Sequence, residues 1–169
     1  MLLESNDRTT FELSDDAASL SPLLKDVGDW APLPLMSTPE VALFVKFCSY
    51  RSTHPPCVIE GGSKHMMIPM PLPNKPFEDI VGHTYASMVD MDKAGLDSIL
   101  RVELGPGGKL VGTGGWSKYM MLPHIQELVY AKVAHLMKGK TPAQLQAMFN
   151  VKCALSSESE LREKFRKLL

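Results

Sequence analysis

Met137-Lys138-Gly139-Lys140-Thr141-Pro142-Ala143-Gln144-Leu145-Gln146-Ala147-Met148-Phe149-Asn150-Val151 reads as the end of one helix, a stop and the start of another. Gly139 suits the left-handed position just past a helix C-terminus, and Lys138 suits the negative end of the preceding helix dipole. Thr141 is a good N-cap, Pro142 is at home in the first turn, and Gln144 three residues on completes a T-x-x-Q capping box. The helix so started carries Leu145, Met148 and Phe149 on one face, at i, i+3 and i+4. On local physics alone this is a helix-turn-helix corner packing on its own core.

Upstream, Leu122 to Lys138 is a long helix with Pro123 in its first turn. Its apolar face is Ile125, Leu128, Val129, Val133, Leu136 and Met137. Downstream, Ser156 or Ser157 caps a last helix in which Leu161, Phe165, Leu168 and Leu169 share a face, with Ser157 and Glu160 as a second capping box. A stripe of this kind on a terminal helix belongs either to the core or to a partner surface.

The N-terminal part reads differently. Ser5-Asn6-Asp7-Arg8 is a turn between Leu2-Leu3-Glu4 and Thr9-Thr10-Phe11-Glu12-Leu13, which gives a hairpin. Asp15 to Val27 is read as a helix that Pro22 interrupts, so that it could start only near Ser21. Pro32-Leu33-Pro34-Leu35 is extended, an edge strand or a strap. Ser37 or Thr38 caps a helix that places Val41, Phe44, Val45 and Cys48 on one face. Residues 54–76, rich in Pro, Gly, Met and Ser, predict a long mobile surface loop. Phe77 to Tyr85 is helix or turn. A corner over Asp90 to Gly95 leads to a helix from Leu96 to about Val102. Gly105 to Gly115 has six Gly in eleven residues and predicts a flexible loop or a small hairpin bearing Leu110 and Val111.

The totals set bounds. A chain of 169 residues with 44% apolar and 22% charged residues suits one globular domain, or one with a helical extension. A net charge of −1 carries no footprint for nucleic acid or anionic lipid, and no apolar run is long enough to span a membrane. The first residues lack the basic start and apolar core of a signal peptide. Cys48, Cys57 and Cys153, odd in number and widely spaced, point to reduced thiols in the cytosol or nucleus.

The Lys138-to-Pro142 string, followed by Phe149-Asn150-Val151-Lys152, closely resembles the C-terminal signature of the Skp-type adaptors of SCF ubiquitin ligases. Other landmarks fall in the family's order. They are the hairpin ending in Phe11-Glu12-Leu13, Pro32-Leu33-Pro34, the helix containing Phe47-Cys48 with Pro55-Pro56 after it, the corner and helix from Val89 to Leu100, and Tyr119-Met120-Met121. The resemblance implies an α+β chain with a BTB/POZ fold over residues 1–122, holding the loop 54–76 and a Gly-rich insert 103–116. Residues 123–169 would then be helices that grip an F-box. It implies a non-catalytic adaptor of the cytoplasm and nucleus, needing no cofactor and no metal. F-box contacts are expected at Val133, Leu136, Met137, Pro142, Leu145, Met148, Phe149, Val151 and Phe165. Cullin contacts are expected at Lys118, Tyr119 and Met120. An uncovered helical face also predicts self-association of the free protein. The sequence departs from the family's pattern in four places: Gly61 to Pro73 replaces an acidic loop, the Gly-rich insert falls inside or at the end of the helix that should lead into Tyr119, Lys118 stands in place of Asn, and the C-terminus finishes as Glu163-Lys164-Phe165-Arg166-Lys167-Leu168-Leu169 rather than as an acidic, Trp-containing tail. The Gly-rich insert motivates a second reading, a non-ligase scaffold that stabilises an F-box partner, for example at chromosomes. A third reading is a nucleotide or small-molecule binder using that insert.

Other chemistry is poorly supported. Gly139-Lys140-Thr141 matches the end of a phosphate-binding loop, but Ala134 stands where the first Gly is required and a helix precedes it. Cys48, His54, Cys57 and His65 fit no zinc spacing. His124 and His135 have no nucleophile set around them, and the eleven Met read as core filler.

Overall fold

A computed structural model of the chain describes residues 1–56, 60–100, 102–104, 110–113 and 115–149. The N-terminal hairpin forms as the turn chemistry predicts. Strand β1 (Leu2–Glu4) pairs antiparallel with β2 (Thr10–Glu12), with Leu3 opposite Phe11. The Ser5 hydroxyl and the Asp7 carboxylate both take the Thr9 N–H, and Arg8 supplies the left-handed residue of the turn (φ 66°).

The helix expected over Asp15 to Val27 is instead two short pieces. Helix α1 (Asp15–Ala18) is capped by Ser14, whose hydroxyl accepts the Ala17 N–H, and a 3-10 turn covers Pro22–Leu24. Pro22 has no N–H to continue the first helix, so the chain restarts there. Strand β3 (Trp30–Pro32) then joins β1 in parallel, giving a three-stranded sheet of order β2-β1-β3 with β3 at an edge. Pro32 is tolerated because an edge strand needs no ladder donor on its outer side.

Helix α2 (Thr38–Thr53) starts from Ser37, whose N–H donates to Glu40 Oε2 at 2.8 Å. Val41, Phe44 and Cys48 are buried as the periodicity requires, and Phe47 is buried with them. Burial pushes the Cys48 thiol up to about 12. The Asp7 carboxylate accepts the Ser5 and Thr38 hydroxyls, which fastens the hairpin turn to the start of α2 and holds its pKa well below the carboxylate range.

Residues 60–76 contain a single bridge, Gly62 with Pro69, and no regular element. The segment is not confined to the surface: Met66 and Ile68 lie in the core. Helices α3 (Phe77–Val81), α4 (His83–Met88) and α5 (Lys93–Leu100) follow. Gly82, at φ 87°, makes the corner between the first two. Asp92 caps α5, its carboxylate accepting the Gly95 N–H at 2.8 Å, so the helix begins three residues before Leu96.

The Gly-rich segment is framed by a hairpin, β4 (Val102–Leu104) antiparallel to β5 (Leu110–Thr113). The turn α6 (Trp116–Tyr119) and the helices α7 (Pro123–Met137) and α8 (Pro142–Phe149) complete the described chain. The architecture is α+β, a small sheet flanked by helices in the BTB/POZ manner. Its core joins Leu3 of the sheet, Phe44 and Phe47 of α2, Ile99 of α5, and Ile125, Leu128 and Val129 of α7.

Candidate partner-binding surface

Helix α7 changes character along its length. Ile125, Leu128 and Val129, in its first half, are fully buried. Val133, Leu136 and Met137 continue the same stripe but are only half-covered. The helix packs on α5 and α6, and its second half meets Phe77 of α3 through Lys132 and His135. Lys132 there donates to Asp90 Oδ1 at 3.0 Å and lies 5.4 Å from the Phe77 ring centroid. Lys138 Nζ reaches the Leu72 carbonyl at 3.1 Å.

The corner forms as its residues require. Gly139 has φ 72°, and the Lys140 N–H returns to the Met137 carbonyl at 3.1 Å. Thr141 and Gln144 make the reciprocal capping box: Thr141 N–H donates to Gln144 Oε1 at 2.9 Å, and Gln144 N–H to Thr141 Oγ1 at 3.3 Å. Helix α8 is eight residues long, and Pro142, Ala143, Gln144, Ala147 and Met148 are exposed. Leu145 is half-covered and Met148 is 37% exposed. An isolated helix this short is marginal in water, and its stability comes from packing an apolar face. The described residues cover that face only in part.

The expected F-box contacts thus fall into two groups. Val133, Leu136, Met137, Pro142, Leu145 and Met148 lie on α7 and α8 with their side chains wholly or partly accessible. Phe149 closes α8, and Val151 and Phe165, with the helix expected from Ser157 onward, lie outside the described residues. The expected cullin contacts diverge. Lys118 is exposed and Tyr119 half-buried, but Met120 is 0% exposed and its carbonyl accepts the Ser21 hydroxyl at 2.6 Å. Met120 is a core residue, and Met121 beside it faces outward.

A second cluster escaped the sequence reading. Glu127 of α7 points at the 60–76 segment, and its Oε2 accepts the N–H groups of His65 and Met66 at 2.9 and 2.8 Å. Burial raises the pKa of this carboxyl, but hydrogen bonds from Ser63, Met66 and His65 outweigh it and the net shift is downward. Arg51 donates to the His65 carbonyl at 3.3 Å, and the His65 and His124 rings meet edge-to-face at 5.2 Å. Burial, with Arg51 and His65 nearby, pulls His124 down to about 4. A carboxylate one turn after His124 is a weak sequence signal, since the backbone N–H groups it serves are sixty residues away. Among the described residues no group of three His, Cys, Asp or Glu could hold a metal ion.

Residues 126–167 match the model of the Skp1 family, dimerisation domain. The match covers about a quarter of the chain, from the first turn of α7 through α8 and beyond the described residues. No curated protein matches.

Proposed function

We propose that the protein is a non-catalytic adaptor whose α7–α8 surface receives the helices of an F-box protein. The carrying observation is the half-covered apolar stripe from Val133 to Met148, which lies inside the segment that matches the Skp1 family model. Helix-in-groove recognition suits such a surface: a partner helix supplies the missing apolar contacts, and Met148 adapts its shape to different partners. Lys118 and Tyr119 are proposed as the cullin-facing side, which makes the protein a bridge within an SCF-type ubiquitin ligase of the cytoplasm and nucleus. Without a partner, the same stripe leads the chain to self-associate.

The test is calorimetric titration of the whole chain with a recombinant F-box domain. Saturable binding is expected, weakened at least tenfold by Met148→Asp with the circular dichroism unchanged. Absence of binding to any F-box domain rejects the adaptor. A cullin N-terminal domain in a parallel titration tests the bridge. Loss of binding on Lys118→Glu supports it, whereas F-box binding without cullin binding supports the scaffold reading, for which the β4–β5 hairpin just before α6 is the structural motive.

A further inference from the structure

The outer face of the three-stranded sheet is largely exposed among the described residues and carries a specific pattern. Side chains alternate across a strand, so Leu3, Ala31 and Phe11 face the core while their neighbours face out. The register sets the outer residues in two rows. Glu12, Leu2 and Trp30 stand side by side across β2, β1 and β3, and Thr10, Glu4 and Pro32 form the next row. Leu2 is 42% exposed and Trp30 51%. An apolar floor of Leu2, Trp30 and Pro32 is therefore flanked by the carboxylates of Glu4 and Glu12. Among the described residues neither carboxylate forms an ion pair. The setting reinforces this local charge. Residues 1–34 hold seven acidic side chains against two basic ones, while the whole chain stands at −1.

We propose that this face docks a basic, partly apolar protein segment, with an arginine or lysine laid over the Trp30 ring and held by Glu4 and Glu12. Charge complementarity selects the occupant. An exposed indole attracts a cation through its ring quadrupole, and two unpaired carboxylates beside an apolar floor add Coulomb attraction at short range. The same charges repel nucleic acid and anionic lipid. Strand addition at β3 is disfavoured, because Pro32 leaves that edge short of a donor. The surface is separate in sequence from the α7–α8 stripe, so it stands or falls independently of the F-box reading.

The chain has two tryptophans, which makes the test direct. Trp116 is buried and Trp30 exposed, so the two indole N–H signals in a 15N–1H spectrum of the full chain report the site and the core separately. A short peptide of alternating arginine and leucine is expected to shift the Trp30 signal saturably and leave Trp116 in place. Glu4→Gln with Glu12→Gln should weaken binding roughly fivefold, and Glu78→Gln, remote in sequence, should not. Trp30→Ala should weaken binding by a similar factor, read from the peptide's own signals. The proposal is overturned if the Trp30 signal does not move, if a glutamate–leucine peptide moves it equally, if the Gln variants bind as the parent does, or if the signal shifts with protein concentration alone, which would make the occupant a second copy.

Discussion

Gly115 and His124 show what single residues do in this fold. Gly115 sits where the chain leaves β5 and enters α6, and its N–H donates to the Leu100 carbonyl at 3.1 Å. A Cβ built there would lie 2.2 Å from the Ile99 carbonyl oxygen, a backbone atom that cannot swing aside. Gly115→Ala should therefore cost about 2–3 kcal/mol, the usual scale of overpacking, and lower Tm by roughly 4–10 °C. Gly28→Ala, with open space around it, should leave Tm within about 2 °C. His124 gives a pH dependence. Its folded pKa is pulled from 6.5 to about 4, chiefly by burial. Above pH 6.5 the imidazole is neutral in both states. Between 6.5 and 4 the unfolded chain binds a proton that the folded chain resists, so stability falls as pH falls through that window. Comparing pH 6.5 with pH 5 keeps Glu127 out of the measurement. The parent should lose about 1 kcal/mol more than His124→Gln, after allowance for solvent screening, or roughly 2–4 °C in Tm by differential scanning fluorimetry. Neither residue was legible in the sequence. Gly115 read as one Gly among six, since only the fold reveals the backbone beside it, and His124 read only as a histidine with no nucleophile set around it.

At the scale of elements, legibility followed the range of the interactions that define each one. The capping box at Thr141 and Gln144, the hairpin from Leu2 to Glu12 and the helix from Ser37 are specified by neighbours three or four residues apart, and all three appear as read. Pro22 was seen as an interruption, but the sequence does not say how short the pieces on either side become. Trp116 was missed altogether, although it is buried against Phe44 with ring centroids 6.2 Å apart. The 60–76 segment is the clearest failure of local reading. Composition alone made it a surface loop, but Met66 and Ile68 are core residues and a carboxylate from α7 accepts the backbone N–H groups of His65 and Met66. That placement is decided by Glu127, a partner no window of sequence can contain. Removing it leaves the His65 and Met66 N–H groups without their acceptor, and each buried orphan costs about 1–3 kcal/mol. Glu127→Ala should therefore lower Tm by at least about 4 °C. Hydrogen exchange at His65 and Met66 should speed up while that of α2 stays slow. Equal loss of protection in both segments would show that the segment opens only when the whole domain does.

The described residues form a domain whose core closes over one end of α7 and covers the other end only in part. The same helix that fixes Ile125, Leu128 and Val129 inside carries Val133, Leu136 and Met137 out to a corner where, among the described residues, α8 has little to pack on. The periodicity of α7 was legible as one stripe of six residues. Its division into a covered and a half-covered part was not, because that depends on which distant elements pack against each part. This division has a thermodynamic consequence. A ligand that binds only the folded chain raises its stability by RT ln(1 + [L]/Kd), about 2.7 kcal/mol at a hundred times Kd. A partner that completes the stripe should add this stability and should protect α8 from hydrogen exchange, because an eight-residue helix gains most when its apolar face is covered. With an F-box domain at that excess, Tm should rise by roughly 5–10 °C, and amides of α8 should become at least tenfold slower to exchange. Met148→Asp should cut both effects together, the rise in Tm by about half or more for an at least tenfold weaker Kd, since it strikes the shared surface and leaves the core of Leu3, Phe44 and Ile125 untouched. A rise in Tm with α8 exchanging as before would place the partner elsewhere on the molecule, and the α7–α8 stripe would then be a face for a second copy of the chain.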